Sequence, residues 1–120
     1  MEKGIYTALI TPLKNNEQID YIALKNLLQY QANSLVAGIV VLGSTAEEKL
    51  LSKKEKINII NYAKQYAQNK QIIIGINEIS IKNAKNAILA YNKFNPSAFL
   101  ISPPCYLKLN QAEIENFYSS

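Results

Sequence analysis

Gly38 to Leu51 reads GIVVLGSTAEEKLL, and this stretch decides the fold. Gly38 to Leu42 runs without polar alternation, which suits a strand covered on both faces, as in a parallel sheet. Gly43 interrupts it and is expected to let the backbone turn sharply or approach a ligand closely. Ser44 and Thr45 then offer two hydroxyls, Ala46 is small, and Glu47 and Glu48 are acidic. A turn at the C-terminal end of a parallel strand is where α/β folds hold ligands. Hydroxyls and backbone N–H groups there can hold a carboxylate or a phosphate. Taken alone, the same residues also read as an ordinary solvated turn, because motifs this short recur by chance.

Working outward, Ile5 to Thr11 (IYTALIT) reads as a first strand ended by Pro12. Asp20 is placed to cap a helix to about Ser34, with Ile22, Leu24, Leu27, Leu28 and Tyr21 near helical spacing. Downstream, Ser52 and Glu55 form a capping box. The helix it opens carries Ile57, Ile60, Tyr62, Ala63 and Tyr66 on and near one face. Gln71 to Gly75 is a third strand, and Ser80 caps a helix that turns Ala84, Ala87, Ile88 and Tyr91 inward. Ala98 to Ile101 is a fourth strand, stopped by Ser102-Pro103-Pro104. Asn110 and Glu113 form a second box that starts a last helix.

The order is βαβαβαβα with a period of about 30 residues, as βαβ units require. No Gly/Ser-rich or Pro-rich linker divides residues 1–120, so one domain is expected. Two α/β architectures fit: an open doubly wound sheet, or the first four units of an eight-unit (β/α)8 barrel. The first βα turn, Pro12 to Asn16, lacks the glycines of a dinucleotide fingerprint, which counts against the doubly wound option.

Composition narrows the function classes. At 48% apolar residues the chain has material for a packed core, yet no apolar run is long enough to span a membrane. The start has no basic region followed by an apolar stretch and cleavage site, so no signal peptide is expected. Cys105 is the single cysteine, which excludes an internal disulfide and fits a reducing, cytoplasmic setting. With no histidine and one cysteine, a usual zinc site is excluded, and no carboxylate spacing supports magnesium. The net charge of +4 is spread along helical faces without an arginine-rich tract, which argues against nucleic acid.

Three stretches then converge. GIYTALITP, GIVVLGSTAEEKLLS and SAFLISPPCYLK, in this order and spacing, resemble the N-terminal half of the dihydrodipicolinate synthase and N-acetylneuraminate lyase family, whose pattern after the second strand is G-[TS]-T-G-E. The resemblance implies a TIM barrel, here its first four βα units, with residues 1–120 as one truncated barrel domain. It implies lyase or aldolase chemistry on pyruvate or a similar 2-keto acid through a Schiff base on a barrel lysine, without a cofactor. Ser44 and Thr45 match the pair that binds the pyruvate carboxylate, and Ser44 also matches the hydroxyl of a proton relay. Tyr106 matches a relay tyrosine that reaches across a dimer interface. A carboxylate needs donors, and a hydroxyl beside a phenol can pass protons, so the chemistry agrees. Tyr106 also reads as a partly buried aromatic whose OH finds any partner. Glu47 is expected to orient the loop, and Glu48 to be a solvated charge.

Several positions depart from the family pattern. Ala46 replaces a glycine, which would strain the loop if that site needs a positive φ. Cys105 replaces a tyrosine, and Gly75-Ile76-Asn77 loses the Thr-Gly that often follows the first glycine. A barrel of this type takes about 250 residues. The Schiff-base lysine, the second relay tyrosine and an arginine for the second substrate are expected downstream of the four units. Lys49 and Lys108 are poor substitutes: a Schiff-base lysine must be desolvated or near another cation, and Lys49 follows two acids.

Three functions remain open at this point. The chain is the N-terminal half of a synthase-type enzyme, inactive alone and completed by a C-terminal half-barrel; or a non-catalytic gene remnant; or a pyruvate-binding or interaction module. The unpaired edges of a half-barrel predict self-association. The opening GIYTALITP leans towards the synthase, which joins pyruvate to aspartate semialdehyde in lysine and diaminopimelate biosynthesis, over the neuraminate-lyase type.

Overall fold

The computed structural model describes residues 1–120 and contains four βα units. The strands are β1 (Tyr6–Ala8), β2 (Gly38–Val41), β3 (Gln71–Ile76) and β4 (Ala98–Ile101). They alternate with helices α1 (Tyr21–Ala32), α2 (Lys53–Tyr66), α3 (Ile81–Asn92) and α4 (Gln111–Ser119).

The sheet is entirely parallel, in the order β1-β2-β3-β4. That order separates the two architectures. A doubly wound sheet reverses direction and leaves its first strand in the interior, whereas a barrel adds each strand to the same side. Here β1 stands at one edge and β4 at the other, as in the first four units of a barrel.

Period-two alternation divides the sheet into two faces. Ile39, Val41, Ile72, Ile74 and Ile76 join Leu24, Leu28, Ile59, Ile60, Ala63, Ala84 and Tyr91 in the main core between sheet and helices. The opposite face carries the in-register row Ala8, Val40, Ile73 and Ala98. At its N-terminal end the Tyr6 ring lies where a Cβ of Gly38 would be, and the Tyr6 hydroxyl donates to Gln71 Oε1 at 2.7 Å.

Every expected helix cap forms. Asp20 Oδ1 accepts from the amides of Ile22 and Ala23. Ser80 Oγ accepts from Asn83 N, and Ser52–Glu55 and Asn110–Glu113 are complete capping boxes. A cap of this kind contributes about 1 kcal/mol. The charge-assisted bonds to Ser52 hold the exposed Glu55 carboxyl below its usual pKa.

Differences from the sequence reading lie at element ends and helix faces. β1 is shorter than Ile5 to Thr11: after Leu9 N donates to Val40 O, the chain turns away, and Pro12 O accepts from Asp20 N. β3 extends to Ile76. Ile22, counted among the apolar positions of α1, is 75% exposed. It sits two residues from Leu24, about 200° around the helix, opposite the buried stripe. Ile59 is buried instead beside Ile60.

The turn after β2 also departs from expectation. Gly43 is extended, with φ −75° and ψ −179°, and a Cβ there would make only ordinary contact with Val40 Cγ1 at 3.7 Å. The chain turns one residue earlier, at Leu42, with a φ of 57°. β2 therefore ends at Val41 rather than Leu42. Room for that turn comes from Gly75, whose added Cβ would lie 2.2 Å from the Leu42 carbonyl oxygen.

Candidate active site

After Gly43 the chain makes two short 3₁₀ turns, Ser44–Ala46 and Glu48–Leu50, hinged at Glu47 with a φ of 52°. Ala46 is not the left-handed residue, so the expected strain at that alanine is absent. It is buried instead, its amide donating to Gly43 O, while Thr11 Oγ1 donates to its carbonyl at 2.8 Å. Thr11 follows β1, so the first unit fastens the loop of the second.

Of the two adjacent glutamates, Glu48 departs from its expected surroundings. Glu47 is exposed, and its backbone rather than its carboxylate shapes the loop. Glu48, expected to be a solvated charge, has a side chain only 6% exposed. The left-handed hinge turns it back towards α2, where Lys56 Nζ donates to its Oε2 at 2.5 Å. Lys49 Nζ lies 3.5 Å from Oε1, which accepts no hydrogen bond. A buried carboxylate without a partner would be strongly destabilising, so the Lys56 pair is what permits this burial.

Beyond the C-terminal ends of β2, β3 and β4 lies a cleft of about 590 Å³. Ser44 and Glu47 line it from the β2 side, Asn77 and Glu78 from the β3 side, and Ser102 and Tyr106 from the β4 side. Ser44 and Tyr106, far apart in sequence, thus meet in one opening at the strand ends. Tyr106 is 90% exposed, so the buried-aromatic alternative for it does not hold. Thr45 is exposed on the same loop but does not line the cleft. Cys105 is exposed at the rim.

No lysine of these four units presents a desolvated amine to the opening. Lys49 lines the cleft but its side chain is 55% exposed and faces Glu48. Lys108 is exposed in the loop before α4. The one largely buried amine near the loop, Lys56, donates to Glu48 and does not line the cleft.

Three contributors were missed by the sequence reading: Asn77, Ser102 and the Glu48–Lys56 pair. Asn77 and Ser102 each directly follow a barrel strand, the same positional signal that singled out Ser44. The ion pair had no comparable signal, because its members stand eight positions apart, one at the start of a 3₁₀ turn and the other in the first turn of α2.

Sequential parallel strands with a cleft beyond their C-terminal ends define the class: a (β/α)8-barrel protein, represented here by its first four units. The model of the Dihydrodipicolinate synthetase family matches residues 1–120, and the chain belongs to that family. It is 36% identical over 119 residues to the 4-hydroxy-tetrahydrodipicolinate synthase of Wigglesworthia glossinidia brevipalpis, covering 98% of this chain and 40% of that protein. It is 39% identical over 113 residues to the enzyme of the same name from Protochlamydia amoebophila, covering 93% of this chain and 38% of that protein.

Among solved structures, the 4-hydroxy-tetrahydrodipicolinate synthase of Methylacidiphilum fumariolicum SolV superposes with a TM-score of 0.90 at 29% identity, covering 99% of this chain and 40% of that one. The N-acetylneuraminate lyase of Fusobacterium nucleatum gives 0.85 at 27%, covering 98% and 41%. The chain therefore spans about two-fifths of the length of the relatives it matches.

Proposed function

We propose that these four βα units form the keto-acid-binding part of a dihydrodipicolinate synthase-type lyase. The supporting observation is the meeting of Ser44 and Tyr106 in one strand-end cleft, in a chain of that family. In this reading Ser44 and Thr45 bind the carboxylate of pyruvate, and the Ser44 hydroxyl and Tyr106 phenol carry protons to and from the reacting carbonyl. Binding falls to these hydrogen-bond donors, because the lining lysine, Lys49, faces Glu48, and Glu47 and Glu78 add only negative charge.

The covalent step needs an amine. It adds to the C2 carbonyl of pyruvate, the carbonyl oxygen takes protons and leaves as water, and a Schiff base remains. No lysine described above meets the requirement, so the amine belongs to a barrel strand outside these four units. In this reading strands five to eight complete the barrel along the free edges of β1 and β4 and bring that amine to the cleft. The second reactant in this reading is aspartate semialdehyde, on the route to diaminopimelate and lysine.

Mixing the chain with a polypeptide carrying strands five to eight tests the proposal. Pyruvate-dependent condensation is expected from the mixture, and borohydride is expected to trap pyruvate on the added polypeptide. A folded, soluble complex without condensation overturns it, as does trapping on residues 1–120 alone. Substituting Thr45→Val together with Ser44→Ala is expected to abolish pyruvate binding. Tyr106→Phe is expected to retain binding and slow turnover about 10²-fold, the lower range for a lost general acid–base group.

A further inference from the structure

Leu42 leaves β2 in the left-handed region, two residues before Ser44. A branched aliphatic residue holds such a conformation only where its surroundings fix it. Gly75 supplies the room, and a hydrogen-bond chain supplies the hold. Asn77 Nδ2 donates to the Leu42 carbonyl oxygen at 3.1 Å, and Ser102 Oγ donates to Asn77 Oδ1 at 2.7 Å.

The two bonds define the orientation of the Asn77 amide. A backbone carbonyl only accepts, so it must meet the NH₂ group, which leaves the amide oxygen for the Ser102 hydroxyl. The chain of bonds thus crosses the ends of β4, β3 and β2. Asn77 and Ser102 also line the cleft beside Ser44, so the tether lies at the site itself.

We propose that Asn77 is a positioning residue for the hydroxyl loop: held by Ser102, its amide fixes the Leu42 turn and so aims Ser44 and Thr45 at the keto-acid carboxylate. The aim at a carboxylate rests on the function proposed above; the fixing of the loop does not. Aspartate at position 77 keeps the shape of asparagine but offers no donor to the Leu42 carbonyl when ionised. Ser102→Ala removes only the outer hydroxyl.

Backbone amide resonances of the chain, recorded with and without pyruvate, provide the test. Asn77→Asp is expected to move the resonances of Leu42 to Ala46 and to weaken pyruvate binding about tenfold, the effect of one lost hydrogen bond on aim. Ser102→Ala is expected to do the same to a smaller degree, with its thermal unfolding unchanged. A loss of affinity at unchanged stability is what a merely structural role would not give. Loop resonances at wild-type positions in both variants overturn the proposal, as do moved resonances with unaltered affinity. Should Asn77→Asp not fold, Ser102→Ala decides alone. A wild-type chain that ignores pyruvate defeats the keto-acid reading, and the Leu42 to Ala46 resonances of Ser102→Ala then decide the tether.

Discussion

Gly75 presses its bare α-carbon against the carbonyl of Leu42, the residue just past the end of the neighbouring strand, closely enough that any Cβ would overlap that oxygen. The left-handed turn at Leu42 and the glycine at 75 are therefore one feature, shared between two βα units. Gly75→Ala is expected to destabilise the chain by about 1–3 kcal/mol or more, since backbone rather than a flexible side chain must move. Gly43→Ala, in extended backbone with open space, is expected to change stability by less than about 1 kcal/mol. Urea unfolding midpoints of the two variants provide the comparison, and equal losses would contradict this account of the turn.

Glu48 and Lys56 give a second expectation. Both side chains are largely withdrawn from water, at 6% and 15% exposure. Lys56→Met leaves a buried carboxylate whose remaining neighbour, Lys49, is more than half exposed. A loss of about 3–5 kcal/mol is expected, in the range for breaking a buried pair by removing one partner. Replacing both, as Glu48→Leu with Lys56→Met, is expected to recover most of it. Chemical denaturation of the single and double variants measures the difference, and a double variant as unstable as Lys56→Met would speak against burial as the cause.

Much of this fold was legible in the sequence because its signals are local. Ser52–Glu55 and Asn110–Glu113 announce their helices through residues three apart, and β4 was bounded correctly by Ser102-Pro103-Pro104. Ser44 was singled out by strand-end position and family resemblance and Tyr106 by the resemblance, and both line the cleft. What escaped is set by tertiary contact. A left-handed leucine cannot be inferred from a run of aliphatics when an adjacent glycine offers the easier explanation. Its cause, Gly75, lies more than thirty residues away. The burial of Glu48 likewise depends on a hinge at Glu47, and a pair of adjacent glutamates carries no hint of which one turns inward. Asn77 was noticed only as a lost glycine, because its partners, Leu42 and Ser102, belong to two other units.

Tyr91 offers a pH-dependent readout. Burial in the core, and then the negative charges of Glu78 and Glu48, push its phenol above the usual tyrosine value of 10.0. A folded-state pKa above the unfolded one favours the protonated, folded form. The contribution is thus fully present below about pH 10 and is lost as pH rises through the folded value. Tyr91 is expected to give a late step, above the usual tyrosine value, in an ultraviolet titration. That late step is expected to vanish in Tyr91→Phe, whose stability falls less steeply above pH 10. A late step that survives in Tyr91→Phe would assign it elsewhere.

The edges of the sheet lead to the last expectation. β1 and β4 each have a strand on one side only, and Leu100 on β4 is 54% exposed on the face away from the helices. An unpaired parallel edge next to an exposed aliphatic is a template for another strand. Self-association of the chain is therefore expected to rise with concentration in analytical ultracentrifugation. Leu100→Lys is expected to reduce it, because a charge at an edge opposes strand addition and removes apolar surface. The same substitution is expected to weaken docking of a polypeptide carrying strands five to eight, since both partners need that edge. Lys82, exposed on α3, lies on the outer layer, so Lys82→Glu serves as a control expected to leave both associations unchanged. If Leu100→Lys associates as strongly as the native chain while Lys82→Glu does not, the contact runs through the helices and not through the open edge of β4.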